Sequence, residues 1–281
     1  MREITVFTHR RPEDVRLALE ELIRAASAAG VTLRFDPEET AKLGLPSQPA
    51  LVLDAEVKRD VELCVVLGGD GTILRALQYY AGTGVPVFAI NFGEIGFLAT
   101  VEPDDLPAGI GCALSGEFEL LRLPAITLEL AAGPLVAVND VAIHRKVGER
   151  VAELAYSLDG EEAGSVRCDG LVVATPAGST GYNLANGGPV MAWGVEGFVV
   201  SFIAPHSMTA RALVAAPGDV LHITNRSREP LDVAVDGRPA GEIPAGEMIE
   251  ARFAKDLATL AQLPGSSFYR RLREKFGRLA S

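Results

Sequence analysis

The fold predicted for the first part of the chain follows from one stretch, Leu63-Cys64-Val65-Val66-Leu67-Gly68-Gly69-Asp70-Gly71-Thr72. Its first five residues form an apolar run typical of a buried strand. Three glycines within four positions predict a sharp turn with positive φ angles, where a ligand can lie against bare N–H groups. Thr72 then opens a helical pattern at residues 73–77, whose N-terminus is a potential anion site.

A carboxylate within such a turn is unusual, because Asp70 repels phosphate unless it orients a hydroxyl or holds a cation. The loop therefore indicates phosphoryl transfer more than phosphate binding alone. The alternative is a plain strand-to-helix turn, since Asp-Gly is a common turn pair. The spacing fits neither a Walker A loop nor the dinucleotide-binding fingerprint.

Strand and helix patterns alternate around this loop. Helical spacing of apolar residues runs from Pro12 to Gly30, with Pro12 at a plausible first turn. Together with strand-like runs, this alternation predicts a parallel sheet with helices on its faces and the glycine turn at the carboxyl end of a strand. The strand-like runs are residues 4–7, 31–35, 63–67 and 87–90.

Near residue 115 the pattern changes to short β-type runs, which predict a second, mostly β domain. Asp159-Gly160 and Asp236-Gly237 each follow such a run and suit tight hairpins. A basic amphipathic helix is predicted at residues 268–276. The β-type runs are residues 120–122, 126–130, 135–138, 153–158, 171–175, 198–203, 221–224 and 231–235.

Composition limits the possible functions. The chain has 281 residues, 48% of them hydrophobic, which is enough for one large or two ordinary domains with a sizeable core. A formal net charge of −11 argues against nucleic-acid binding. No apolar stretch approaches the ~18 residues of a membrane helix, and the start does not resemble a signal peptide. We expect a cytoplasmic protein without a membrane partner.

The three cysteines, Cys64, Cys112 and Cys168, are isolated and odd in number, which suits a reducing compartment. Neither they nor the four scattered histidines show the spacing of a zinc site. We therefore predict no protein-held metal centre.

A second glycine-rich stretch, Ala177-Gly178-Ser179-Thr180-Gly181, nearly matches the nucleophile elbow of hydrolases, but Ala177 occupies its first position. A nucleotide site explains more of the residues. The Ser179 and Thr180 hydroxyls can bond ribose or phosphate, Tyr182 can stack on a ring or donate its hydroxyl, and Asn183 adds an amide. The alternative is an N-cap followed by one short helix.

Asn139 and Asp140 place an amide beside a carboxylate. Such a pair can accept hydrogen bonds from both hydroxyls of a ribose diol and donate one back. The alternative is a turn or strand-end pair, since Asn and Asp both favour turns.

Taken together, these motifs resemble those of the NAD kinase family. The matching segments include the Gly68–Thr72 loop, residues 139–145, the stretch 169–182 and Asn186-Gly187-Gly188-Pro189. The resemblance runs from about residue 60 to Asp236-Gly237. It implies a Rossmann-like parallel α/β domain at residues 1–117 and a mostly antiparallel β domain at 118–254. It also implies a C-terminal tail, residues 255–281, that returns to the N-terminal domain.

The resemblance implies transfer of the γ-phosphoryl group of ATP to the 2′-hydroxyl of the adenosine ribose of NAD, giving NADP. A divalent cation, for which Mg²⁺ is the expectation, would accompany ATP, and a homo-oligomer is expected. Two other interpretations are a lipid kinase of the diacylglycerol or sphingosine type and a non-catalytic NAD-binding sensor.

Residue roles also follow from the resemblance. Asp70 would orient the 2′-hydroxyl and accept its proton, which suffices in a loose transition state where proton loss is late. Asn139 and Asp140 would hold the adenosine ribose, and Phe97 would lie at the adenine. Arg150, Arg167 and Asp169 would bind substrate. The other implied binding residues are Gly71, Arg75, Ser179, Thr180, Gly181, Tyr182, Asn183, Leu184 and Ala185.

The chain departs from the family pattern at three positions. Asp140 replaces the more usual Glu, Gly181 replaces Ala, and Arg238 stands where Gln is common. Arg238 brings a charge that could either aid phosphate binding or face solvent. The sequence leaves open the choice between NAD and NADH, the use of polyphosphate in place of ATP, and any feedback ligand.

Overall fold

The computed structural model describes residues 2–94 and 96–277. Met1, Ile95 and residues 278–281, the last of the predicted tail, lie outside the described residues. Contacts divide the chain into two compact units, one of residues up to Arg122 and from Ala258 onward, the other Leu123–Leu257. The functional boundaries expected at 117/118 and 254/255 stay a prediction.

The helices are α1 (Arg16–Ala28), α2 (Pro37–Leu43), α3 (Asp70–Tyr79), α4 (Leu106–Ser115), α5 (Tyr182–Ala185) and α6 (Phe268–Phe276). The first ten strands are β1 (Arg2–Thr8), β2 (Val31–Arg34), β3 (Leu51–Val52), β4 (Leu63–Gly68), β5 (Val87–Asn91), β6 (Glu119–Leu130), β7 (Gly133–Ala137), β8 (Asp140–Arg145), β9 (Ala152–Leu158) and β10 (Glu161–Cys168). The remaining strands are β11 (Gly170–Ala174), β12 (Phe198–Ile203), β13 (Leu213–Ala215), β14 (Val220–Asn225), β15 (Leu231–Val235), β16 (Arg238–Ile243) and β17 (Met248–Gln262).

The first unit is built on a parallel sheet in the order β3-β2-β1-β4-β5. The end of β17 pairs in parallel with β5, where Leu260 lies opposite Val87. All six residues of β4 are buried, as expected for a parallel strand covered on both faces. The four strand-like runs of the sequence lie in β1, β2, β4 and β5. The predicted parallel α/β architecture is confirmed.

The second unit contains two antiparallel sheets. One has the order β10-β9-β14-β17, with β6 paired to β7, and the other β13-β12-β11-β8-β15-β16. Apolar residues from both sheets, such as Ile143, Val173 and Leu221, are fully buried in one core. The predicted β architecture is confirmed, as is the C-terminal helix, which is α6.

Several elements differ from the sequence prediction or were not predicted. The runs 120–122 and 126–130 belong to one strand, β6, which continues through the buried residues Leu123 and Ala125. β10 is polar and largely exposed, while β16 contains Pro239 and Gly241, which both weaken a strand pattern. The sequence patterns also did not predict β3, β8, β13, β17, α2 and α4.

Both predicted hairpins are confirmed. Asp159 and Gly160 have φ angles of 50° and 83°, and Asp236 and Gly237 have 46° and 76°. Positive φ at both central positions is the geometry of a type I′ turn, which matches the twist of the flanking strands. Among the residues that the structure describes, no helix is long and apolar enough to cross a membrane.

Candidate active site

The Gly68–Thr72 loop joins β4 to α3, but its glycines are not needed for positive φ. Gly69 has a φ of −89° and caps α3, and neither Gly68 nor Gly71 lies in the left-handed region. A Cβ on Gly69 would come within 2.9 Å of the Cα of Gly93. Close backbone approach is therefore the physical reason for glycine, which corrects the expectation from the sequence. The helix also begins at Asp70 instead of Thr72.

Asp70 is held by backbone N–H groups. Its Oδ2 accepts a hydrogen bond from the N–H of Phe97 and its Oδ1 from that of Leu98, both at 3.0 Å. The residue is half-buried in the first turn of α3. Because an ionised carboxylate has about four acceptor positions, two remain for a ligand hydroxyl. The carboxylate is thus fixed in direction and still able to accept.

Two predicted nucleotide-binding residues of the first unit have other contacts. The Phe97 side chain is 6% exposed, and its ring packs 6.0 Å from Phe268 and 5.9 Å from Phe276. Arg75 forms ion pairs with Glu38 and with Glu39, whose side chain is fully buried. The structure gives Phe97 a packing role and Arg75 a structural ion pair, so neither prediction gains support.

In the second unit, the backbone of the Asn139-Asp140 segment is anchored by Asp236. The Asp236 carboxylate accepts hydrogen bonds from the N–H groups of Val138, Asn139 and Asp140, at 2.9, 2.7 and 3.0 Å. Three charge-assisted hydrogen bonds to one carboxylate fix the path of this segment into β8. The sequence analysis assigned Asp236 only to a hairpin. The only signal for a second role was the extent of the family resemblance.

Asp140 and Asn139 present different acceptors. Asp140 is 6% exposed, and burial, followed by the neighbouring Asp236 charge, raises its pKa to about 7. The Oδ1 atom of Asn139 is buried and has no hydrogen-bond partner among the described residues. Since buried polar atoms are normally paired, this oxygen is an acceptor suited to a ligand hydroxyl.

The second glycine-rich stretch packs directly against Asn139. The Thr175 hydroxyl donates to the carbonyl of Val138 and accepts from the N–H of Gly178. A Cβ on Gly178 would lie 2.0 Å from the carbonyl oxygen of Asn139, so only glycine fits there. A Cβ on Gly181 would lie 3.9 Å from Oδ2 of Asp140. The structure thus brings Asn139, Asp140 and Gly181 together.

The side chains of Ser179, Thr180 and Asn183 serve the loop itself. Ser179 is fully buried, and its hydroxyl donates to the carbonyl of Pro176 and accepts from the N–H of Met191. Asn183 is also fully buried, and its amide donates to two backbone carbonyls. Thr180 donates to the carbonyl of Ala177. These contacts occupy both hydroxyls and the Asn183 amide nitrogen, while the Oδ1 atom of Asn183 has no hydrogen-bond partner among the described residues. The binding of ribose or phosphate by these groups stays a prediction.

Tyr182 is the aromatic residue available at this site. It is 37% exposed, and its ring stacks on that of His144 with centroids 5.6 Å apart and planes at 22°. Burial lowers the pKa of His144, which favours the neutral ring. Leu184 is half-buried and Ala185 exposed in the short helix α5 that follows. The stacked pair offers a flat surface for a planar group.

Arg150, Arg167 and Asp169 lie elsewhere in the second unit. Both arginines line a cavity of about 520 Å³ together with Arg145, Arg226 and Arg228. Asp169 accepts a hydrogen bond of 2.6 Å from Arg145, which ends the strand that Asp140 begins. At about 3.4 Å per residue, the two ends of β8 are about 17 Å apart. Arg238 is exposed at the start of β16.

A cluster of metal-binding side chains is not found in the described part of the chain. Among residues 2–94 and 96–277, no group of three or more His, Cys, Asp or Glu side chains could hold a metal ion. Three cysteines are present as free thiols. A cation that arrives with ATP needs no protein cage, since Mg²⁺-type ions retain waters and bind the phosphates.

A parallel α/β unit with a carboxylate fixed on its glycine loop, in a chain that also has a β unit, is typical of one class of protein. Such a chain is a phosphotransferase that uses nucleotides. The comparisons with known proteins specify this class further. Residues 9–118 match the model of the ATP-NAD kinase N-terminal domain, and residues 138–262 match that of the ATP-NAD kinase C-terminal domain.

Two curated relatives cover nearly the whole chain. NAD kinase 2 of Streptomyces avermitilis is 35% identical over 95% of this chain and 91% of that protein. The NAD kinase of Gemmatimonas aurantiaca is 33% identical over 98% of this chain and 95% of that protein. The chain belongs to the ATP-NAD kinase family, whose members are ATP-dependent phosphotransferases acting on the 2′-hydroxyl of NAD.

Solved structures agree with this fold. Yeast NADH kinase complexed with NADH superposes with a TM-score of 0.87 at 23% identity, over 100% of this chain and 89% of that one. An NAD kinase from Archaeoglobus fulgidus in complex with ATP gives a TM-score of 0.75 at 25% identity, covering 100% and 99%. The lipid-kinase and sensor interpretations gain no support from these comparisons.

Proposed function

We propose that this chain transfers the γ-phosphoryl group of ATP to the 2′-hydroxyl of the adenosine ribose of NAD, giving NADP. The observation that carries this proposal is the Asp70 carboxylate, which two backbone N–H groups fix at 3.0 Å within a glycine loop of an ATP-NAD kinase fold. A fixed carboxylate with remaining acceptor capacity suits an acceptor hydroxyl.

In this proposal Asp70 accepts a hydrogen bond from the 2′-hydroxyl and takes its proton as the phosphoryl group transfers. Because the transition state is loose and proton loss is late, orientation of the nucleophile supplies much of the effect. The N–H groups of Phe97 and Leu98 keep the carboxylate from rotating.

The ribose diol is assigned to Asn139 and Asp140. The unpartnered Oδ1 of Asn139 supports this assignment, since it needs a donor. Asp140 accepts from the second hydroxyl, and Tyr182 with His144 supports a planar group of the dinucleotide. Gly71, Gly181, Leu184 and Ala185 take part through the backbone or through close approach.

Arg150 and Arg167 are assigned to the phosphates of a substrate, and Asp169 to its polar groups. The supporting observation is the cavity in which both arginines lie. Neither guanidinium group has an ion pair among the described residues. Guanidinium groups bind phosphate through paired N–H donors.

Mg²⁺ is proposed as the cation that neutralises the ATP phosphates, because it binds through substrate phosphates and keeps its waters. This mode of binding needs no cluster of protein side chains to hold the cation. A homo-oligomer and a cytoplasmic location are also proposed. Three free cysteines support the reducing compartment.

A coupled assay tests the proposal. Purified protein is mixed with NAD, ATP and Mg²⁺, and NADP is scored by an NADP-specific dehydrogenase. We expect NADP and ADP in equal amounts, and no phosphorylation of diacylglycerol or sphingosine micelles. Lipid phosphorylation above that of NAD would identify a lipid kinase, and saturable NAD binding without ADP release would identify a sensor.

A further inference from the structure

Arg271 of α6 contacts residues 96–99, a loop that binds the Asp70 carboxylate. Its Nη1 donates to the carbonyl of Phe97 at 3.0 Å and also to the carbonyl of Ala99. The N–H groups of Phe97 and Leu98 bind the Asp70 carboxylate. The same short loop is therefore bound by the Arg271 guanidinium through its carbonyls, and it binds Asp70, the proposed base, through its N–H groups.

This loop needs an external anchor because it belongs to no helix or strand. At its start, Gly96 has a φ of 66°, and a Cβ there would lie 2.2 Å from Nδ2 of Asn91. The Asn91 side chain donates to Glu102, and Glu102 pairs with Lys275 of α6 at 2.7 Å. Helix α6 thus fixes the loop region at two points.

The Arg271 side chain is half-buried. Burial lowers its pKa, while the charges of Glu102 and Asp70 oppose that shift. The Phe268 and Phe276 rings of the same helix pack on Phe97. A charged group costs free energy when it leaves water, so this placement needs the hydrogen bonds to the two carbonyls.

We propose that Arg271 is a positioning residue for Asp70. By holding the Phe97 and Ala99 carbonyls, it keeps the N–H groups of Phe97 and Leu98 directed at the carboxylate. It thereby fixes the direction from which Asp70 accepts the substrate hydroxyl. This inference rests on the proposed function of Asp70.

Arg271→Ala tests the inference. A catalytic group displaced by about 1 Å loses about 10²-fold in rate, so we expect kcat to fall by about 10-fold or more. The KM for NAD should change by less than about 2-fold, because the lost interaction acts in the transition state. Arg271→Lys should regain part of kcat, since an ammonium group can also donate to the two carbonyls.

Arg273→Ala is the matched control. Arg273 lies on the same helix, carries the same charge and is exposed. Its side chain makes no ion pair or hydrogen bond within the described part of the chain. This variant should keep the wild-type kcat, and its melting temperature shows what loss of a charge on α6 does by itself.

A double variant separates positioning from general stability. If Arg271 acts through Asp70, Arg271→Ala in an Asp70→Asn background should lower kcat by less than about 2-fold more, since groups acting as a unit are non-additive. A full additional loss, or equal activities for Arg271→Ala and Arg273→Ala, would overturn the inference. If Arg271→Ala does not fold, Arg271→Lys is judged by the same two criteria. A wild-type protein that makes no NADP would instead overturn the proposed function.

Discussion

At the residue scale, Asp140 has its chemistry changed by burial. Its carboxyl group is buried beside that of Asp236, and its pKa is raised to about 7. Asp236 accepts three backbone N–H groups, which stabilise its charged form. Of the two carboxyl groups, Asp140 is therefore the one that holds a proton near neutrality.

This proton gives stability a pH dependence of known sign. The folded-state pKa of about 7 lies above the ordinary value of 3.8, so the folded state binds the proton more tightly. The contribution of Asp140 to stability is full below about pH 4 and is lost as pH rises through 7. The amide of Asp140→Asn cannot ionise, so between pH 5 and pH 8 the unfolding free energy of wild type should fall by about 2–3 kcal/mol more than that of Asp140→Asn. Denaturant unfolding of both ligand-free proteins measures this, and parallel pH curves would contradict it.

Asp140 is one methylene shorter than the Glu that is more usual at this position of the family pattern. At pH 8, above the pKa of about 7, Asp140→Ala leaves the ribose diol without its ionised carboxyl acceptor, an interaction of about 1.5–3 kcal/mol for a charged group. We expect kcat/KM for NAD to fall about 10–100-fold, with the KM for ATP changed far less. Steady-state kinetics with each substrate varied measures both effects.

Asp140→Glu is the conservative control and should retain substantial activity if the site tolerates one more methylene. If Asp140→Ala weakens ATP use and spares NAD, the carboxyl group serves the metal-triphosphate. The assignment of the Asn139-Asp140 pair to the ribose would then be wrong.

At the element scale, the hairpin between β15 and β16 anchors the segment before β8. Asp236→Asn keeps the shape of this turn but replaces one acceptor oxygen by a donor, so at least one of the three N–H bonds is lost. We expect a lower melting temperature and a KM for NAD raised about 10-fold, since the ribose segment loses its fixed path.

Asp159→Asn supplies the comparison for this element. Asp159 occupies the same position of the other type I′ turn and accepts one N–H, from Val220. Its variant should lose stability without a change in the KM for NAD. Equal effects on KM in the two variants would show that Asp236 acts as an ordinary turn residue.

The sequence predicted the loop of Asp70 and the segment of Asp140, but not how they are held. Glycines at 69 and 178 are required by approach of backbone from distant residues, and no local pattern reports such contacts. Ser179 and Asn183 were predicted as ligand-binding residues from their side-chain types, and their burial and hydrogen bonds within the loop could not be predicted from the sequence. Arg271 lies 201 positions after Asp70 in the sequence, so only the fold brings them near.

At the scale of the whole molecule, the apolar periodicities were enough to predict a parallel α/β unit and a β unit. Two of the missed strands have a physical reason, since β10 is polar and β16 is interrupted by Pro239 and Gly241. Their pairing depends on neighbouring strands more than on their own propensity. Residues 258–277 belong to the first unit because of contacts in the folded chain, which a local sequence pattern does not predict.

Substrate binding should stabilise the whole molecule by mass action. At 100 times its Kd, NAD should add about 2.7 kcal/mol to the unfolding free energy. Each kcal/mol raises the melting temperature by about 2–4 °C in a protein of this size class. Calorimetry with wild type and Asp140→Ala compares the two shifts. A wild-type melting temperature unmoved by millimolar NAD would contradict a dinucleotide site.

The role of Asp70 is tested most directly by Asp70→Asn. We expect kcat for NADP formation to fall by about 10²-fold or more, as when a general base is removed. The Kd for NAD, measured by calorimetry on the same preparation, should stay near that of wild type, because Asp70 acts on the hydroxyl and does not grip the dinucleotide. Near-normal turnover in Asp70→Asn would contradict the account and remove Asp70 from the mechanism.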